Sequence, residues 1–126
     1  MKIKDLYSVL DICLKERVVP IIWGQHGVGK SQIVKQYCDA NKLQFIDLRL
    51  GQVEAGDLIG MPEREGNKTI WLKPQWFPDK GKGILFLDEI NRARPDVLQA
   101  IFQLVLDKRL YTHELPKEWN IICAAN

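Results

Sequence analysis

Apolar residues at Leu6, Val9, Leu10, Cys13 and Leu14 recur at the spacing of one helical face. The next run, "VVPIIW" at residues 18–23, is continuously apolar and rich in β-branched side chains, which predicts a buried strand. Within it, Pro20 has no N–H to give to a ladder. A second helical face begins after Lys30 with Ile33, Val34, Tyr37 and Cys38. "LQFIDLRL", residues 43–50, alternates and predicts a second strand. Residues 51–82 are rich in Gly, Pro and charge and keep no period, so a long irregular stretch is expected there. "GILFLDEI", residues 83–90, reads as a third buried strand that ends in acids. Pro95 suits the first turn of a helix whose apolar face is Val97, Leu98, Ile101, Phe102, Val105 and Leu106. "NIICAAN", residues 120–126, reads as a fourth strand. Strands that alternate with helices predict an α/β fold, a parallel sheet with helices on both faces. In such sheets ligands bind at the carboxyl ends of the strands.

Composition narrows the class without naming a function. The chain has 126 residues, 46% hydrophobic and 27% charged, as a one-domain globular protein would. A net charge of +2 is too small to argue for nucleic acid or a membrane surface. No basic stripe with interleaved aromatics appears, so nucleic acid is not expected as a partner. Cys13, Cys38 and Cys123 have no metal-like spacing and sit among apolar neighbours, which predicts buried reduced thiols. No apolar run approaches the roughly 20 residues that span a bilayer. Charges interrupt the N-terminal "MKIKDLYSVL", so it is not read as a signal peptide, and a cytoplasmic location without membrane contact is expected.

Chemistry enters with "GQHGVGKS", residues 24–31. Gly24, Gly29, Lys30 and Ser31 match G-x-x-x-x-G-K-[ST] in full, with an apolar strand before and an amphipathic helix after. Glycines let backbone N–H groups turn inward around an anion, and a helix N-terminus adds roughly half a positive charge. Lys30 is expected at the β- and γ-phosphates of ATP, and the Ser31 hydroxyl on Mg2+. The cofactor-binding stretch is read as Gly24, Gln25, His26, Gly27, Val28, Gly29, Lys30, Ser31 and Gln32. The alternative is a glycine-rich strand-to-helix turn that carries a surface lysine.

A site that hydrolyses also needs a metal anchor and a positioned water. Asp88, closing "ILFLD", is the candidate second Mg2+ anchor, and Glu89 the candidate that activates water. Neighbours on a strand point to opposite faces, so this pair must lie where the backbone turns out of the strand. A GTPase would need N-K-x-D, and Asn41-Lys42 and Asn67-Lys68 both lack the Asp.

Taken together, "GQHGVGKS", "GQVEAGDLIGMP", "ILFLDEINRARPDVLQAIFQLV" and "IICAAN" resemble the MoxR-like branch of the AAA+ ATPases, in the right order over nearly the whole chain. "GDLIG" and "DEINRA" carry the more specific part of the likeness. The resemblance implies a three-layer P-loop NTPase sheet and ATP-driven remodelling or chaperone-like work on a protein substrate, usually by a homo-oligomeric ring. It implies that Asn126 is the sensor asparagine beside the γ-phosphate, a third catalytic residue with Lys30 and Glu89. It also implies that Arg17 to Pro20 lie near the adenine. A complete module of that kind continues past residue 126 with a fifth strand, an arginine finger and a helical lid. Residues 1–126 are therefore expected to form a truncated AAA+ core in which nucleotide binding outlasts turnover. The alternative is a nucleotide-dependent binding module with little or no turnover, and a helicase-like or DNA-loading role is a weaker third reading.

In the sheets of that family the order is fifth, first, fourth, third, second. Without the fifth strand, "VVPIIW" becomes an open edge, and self-association of the chain is expected through it or the uncovered face beside it. Trp71, Trp76 and Phe77 are read as packing the 51–82 stretch onto the core, with a substrate-gripping pore loop as the alternative. Asp57 is read as a helix N-cap, and Arg92 and Arg94 as solvated or ion-paired.

Overall fold

The computed structural model describes residues 2–25 and 29–126. Helix α1 (Ile3–Lys15) leads into strand β1 (Ile21–Trp23), and α2 (Lys30–Ala40) follows the glycine-rich loop. Then come β2 (Gln44–Arg49), a 3-10 turn (Leu50–Gln52), the short α3 (Ala55–Ile59) and the hairpin β3 (Met61–Glu65) and β4 (Lys68–Leu72). β5 (Gly83–Asp88), a second 3-10 turn (Ile90–Arg92) and α4 (Pro95–Asp107) lead to a small hairpin, β6 (Arg109–Leu110) and β7 (His113–Glu114). The last strand is β8 (Trp119–Ala125).

β1, β8, β5 and β2 lie side by side in that order as a parallel sheet. β5 and β8 are buried on both faces, and their alternate residues feed two separate cores. Ile84, Phe86, Ile122 and Ala124 pack against Leu10 of α1 and Val34, Tyr37 and Cys38 of α2. Leu85, Leu87, Ile121 and Cys123 pack against Leu58 of α3 and Val97, Ile101 and Leu104 of α4. The result is the expected α/β architecture, three layers with a parallel sheet in the middle.

Several expectations change in detail. "VVPIIW" yields only a three-residue strand, because Pro20 gives its carbonyl to Cys123 N–H but has no N–H of its own. β1 is an edge strand among the described residues, and Ile21 and Trp23 are 49% and 69% exposed, so it is not buried as read. On α1 the seam is Leu6, Leu10 and Leu14, while Val9 is exposed and Cys13 half-buried. On α4, Val97, Ile101 and Leu104 form the buried ridge. Phe102 and Leu106 point outward at 53% and 80% exposure, since the apolar stripe is wider than the surface that covers it. Cys38 and Cys123 are buried free thiols, pushed up to about 12 and about 11 by burial, and so stay protonated and inert.

The stretch 51–82 is regular over most of its length and irregular over 73–82. It folds as a turn, a helix and a hairpin whose two strands are exposed, apart from a half-buried Trp71, which explains the missing period. Gly66, at a φ of +61°, and Asn67 form the hairpin turn. As read, Phe77 is buried and Trp76 packs on the same core, its indole N–H donating to the Asp57 carbonyl at 2.9 Å. Trp71 stacks edge-on against Tyr111. Asp57 is not the N-cap of α3. It sits at the third position and closes a capping box with Glu54, whose backbone N–H it accepts at 3.1 Å.

Gly60 ends α3 with φ +84° and ψ −156°, backbone that only glycine adopts readily. A Cβ there would run into the Leu72 carbonyl of β4. This is the physical content of the second glycine in "GDLIG". Gly60→Ala should cost about 3 kcal/mol or more, read as a lowered urea midpoint. An unchanged midpoint would mean that α3 and β4 do not approach so closely.

Candidate functional site

The strand order decides which residues meet. With β8 between β1 and β5, the carboxyl ends of the strands present, in turn, the Gly24 loop, Asn126, Asp88 with Glu89, and Arg49. Gly24 N–H donates to the Ala125 carbonyl at 3.2 Å, which ties the start of the loop to the end of β8.

Gly29 occupies the N-cap of α2 in the left-handed conformation, φ +78° and ψ +29°, which suits glycine. It has no side chain with which to cap the helix, and no acid stands in the first turn. The first-turn N–H groups of Lys30, Ser31 and Gln32 therefore have no capping side chain at Gly29 and sit at the positive end of the helix. Lys30 Nζ donates to the Gly24 carbonyl at 2.8 Å and the Gln25 carbonyl at 3.4 Å. Gln25 and Gln32 are exposed. His26, Gly27 and Val28, also read as cofactor-binding, lie outside the described residues.

Ser31 Oγ donates to Asp47 Oδ2 at 2.8 Å. Asp47 was not singled out by its sequence, although a signal was there. β2 pairs Phe45 with Ile84 and Asp47 with Phe86, so a carboxylate stands in the row that faces α2, where an apolar residue would suit the core.

Asp88 ends β5, and its Oδ1 accepts the Glu89 N–H at 2.8 Å. Glu89 adopts φ +57° and ψ +41°, the left-handed region unusual for a glutamate. That turn supplies what two adjacent acids need to work at one strand end. Such backbone costs about 1–3 kcal/mol and persists only where the surroundings impose it, often at functional sites. The Glu89 carboxylate is 13% exposed and lies 3.5 Å from Arg49 Nε. Arg94 pairs with exposed Glu54 at 3.9 Å, an ion-paired role as read.

At Asn126 the backbone is held by Asn91, whose amide donates to the Asn126 carbonyl at 2.6 Å while its Oδ1 accepts the Asn126 N–H at 3.4 Å. The Asn126 Oδ1 is buried with no hydrogen-bond partner among the described residues. An apolar cavity of about 450 Å³, lined by Leu6, Pro20, Ile22, Trp23, Lys30 and Ile33, opens beside the loop. Among the described residues no three His, Cys, Asp or Glu side chains gather as a metal site by themselves. No described helix is long and apolar enough to cross a membrane.

Comparison with known proteins gives a consistent likeness. The family model described as AAA domain (dynein-related subfamily) matches residues 20–126. The chain is 32% identical over 109 residues to "Putative chaperone BssE" of Thauera aromatica, with 82% of this chain and 38% of that protein covered. The chain thus spans well under half of that relative's length. Among solved structures, a "putative ATPase" of Cytophaga hutchinsonii superposes with a TM-score of 0.71 at 18% identity, covering 98% of this chain and 38% of that one. NtrX of Brucella abortus in complex with ADP superposes with a TM-score of 0.66 at 16% identity, covering 97% and 28%.

Proposed function

Since the chain belongs to the AAA domain family, dynein-related subfamily, we propose that it binds Mg2+–ATP in the Gly24–Gln32 loop and hydrolyses it. One observation carries the proposal. The order β1, β8, β5 brings the loop, Asn126 and the Asp88–Glu89 pair to one edge of the sheet from positions far apart in the sequence.

In this reading the α2 N-terminus and Lys30 hold the phosphates. The adenine lies toward the Arg17–Pro20 segment, and Pro20 lines the apolar cavity together with Lys30. The donor set fits a hard cation: Ser31 Oγ and the Asp88 carboxylate are oxygen ligands, and phosphate oxygens and water would complete the shell. When bound, Mg2+ offsets the charge that develops on the phosphate oxygens. Glu89 accepts a proton from water as the water oxygen bonds to the γ-phosphorus and the bond to the β–γ bridging oxygen breaks. ADP and phosphate are the products. Asn126 Oδ1, without a donor among the described residues, is an acceptor that such a water could satisfy, and a buried unpaired acceptor costs about 1–3 kcal/mol.

The same proposal extends to the MoxR-like branch and to remodelling of a protein client by a homo-oligomeric ring. "GDLIG", "DEINRA" and a relative named as a chaperone support it. Phosphate release from ATP tests the catalytic part. The chain should release phosphate at a rate that rises with Mg2+ and vanishes in EDTA. No affinity for ATP or ADP with saturating Mg2+ would defeat it.

A further inference from the structure

We propose that Asp47 is a positioning residue of the cation site, one that orients the Ser31 hydroxyl toward the ion and makes nucleotide binding depend on it. The inference rests on the reading of Gly24–Gln32 as a Mg2+–nucleotide site.

A hydroxyl that ligates a cation does so through a lone pair, and its proton must point elsewhere. Without a fixed acceptor the hydroxyl rotates, and its lone pairs face the cation only part of the time. Ser31 Oγ donates to Asp47 Oδ2 at 2.8 Å, so the proton side is already assigned and the lone pairs are left for another partner. Asp88, read from the sequence as a Mg2+ anchor, does not take this proton in the structure: its Oδ1 accepts the Glu89 N–H, and the Ser31 hydroxyl turns to Asp47 instead. The task falls to β2 because Asp47 pairs with Phe86, two residues before Asp88 in the strand row that faces α2.

Two effects follow from the carboxylate. A charged acceptor draws electron density onto the serine oxygen and strengthens it as a ligand, as outer partners do at metal sites. Its negative charge also has the same sign as the phosphates, so it disfavours nucleotide that arrives without a cation. Asp47 is exposed, and a hydrogen bond in water adds little to folding stability. A merely structural tie between α2 and β2 would show itself in stability and in both kinds of binding alike.

The test measures the affinity of the full chain for a fluorescent ATP analogue across a Mg2+ titration and in EDTA, with urea midpoints alongside. Asp47→Asn keeps an acceptor oxygen and removes the charge, whereas Asp47→Ala removes both. Each should raise the Mg2+ concentration at half-effect, by about 10- to 100-fold for Asp47→Ala. Affinity in EDTA should hold or tighten, and the urea midpoint should stay. In a Ser31→Ala background, Asp47→Ala should add less than it does alone. An unmoved Mg2+ midpoint in Asp47→Ala, while Asp88→Asn shifts it, would overturn the inference and leave the nucleotide site standing. Equal losses with Mg2+ and in EDTA, with a lowered urea midpoint, would also overturn it, in favour of a structural tie. An unsubstituted chain that binds no analogue under either condition would remove the nucleotide site and the role of Asp47 together.

Discussion

Lys30→Ala should weaken ATP binding by about 2–4 kcal/mol, a factor of roughly 30 to 1000, while the fold stays intact. The magnitude follows from losing a charge-assisted contact to phosphate beside a helix N-terminus, where water screens it incompletely. In the structure the ammonium donates to the Gly24 and Gln25 carbonyls, partners that it would exchange for phosphate oxygens in the proposed complex. Only these loop contacts are lost from the protein itself, so far-UV circular dichroism should not change. Affinity for a fluorescent nucleotide and the dichroism spectrum should be read on the same samples. Unchanged affinity would leave the loop as a glycine-rich turn with a lysine on it.

Glu89→Gln should keep Mg2+–ATP affinity and lower turnover by about 10²- to 10⁴-fold, the usual share of a positioned base. The substitution is nearly isosteric, keeps the left-handed backbone, and loses only the charge that faces Arg49 at 3.5 Å. Asp88 is untouched, so metal dependence should persist. Single-turnover phosphate release at saturating ATP separates this from a binding defect. Release at the unsubstituted rate would take the base role away from Glu89.

Much of the fold can be read in the sequence because burial leaves a strong mark on the central strands. β5 and β8 are apolar at nearly every position and could be nothing but inner strands. Elements on the surface leave less. The β3–β4 hairpin is almost wholly exposed, so nothing selects an alternation there, and only the Gly66–Asn67 pair announces the turn. The error at α4 is of the opposite kind. Phe102 and Leu106 extend the apolar stripe past the face that packs, and periodicity cannot distinguish covered from uncovered apolar surface.

The candidate site divides the same way. Lys30, Ser31, Asp88 and Glu89 lie in contiguous motifs whose spacing matches what a phosphate cradle and a strand-end acid pair require. Asp47 and Arg49 reach the site through the register of β2 on β5, and the alternation of β2 marks Asp47 only as a carboxylate out of place in an apolar row, without naming its partner. Asn126 could be assigned only through family resemblance. The structure adds an independent feature there, a buried acceptor that has no donor among the described residues.

The central claim is that the residues gathered at the carboxyl edge of the sheet form one nucleotide site. Amide chemical-shift mapping of the labelled chain with a non-hydrolysable ATP analogue and Mg2+ tests it most directly. The largest shifts should fall on Gly29, Lys30 and Ser31, with a second group at Asp88, Glu89 and Asn126, and Lys30→Ala should move both groups together to roughly 30- to 1000-fold higher analogue concentration. Shifts confined to another surface, or none at saturating analogue, would contradict the account.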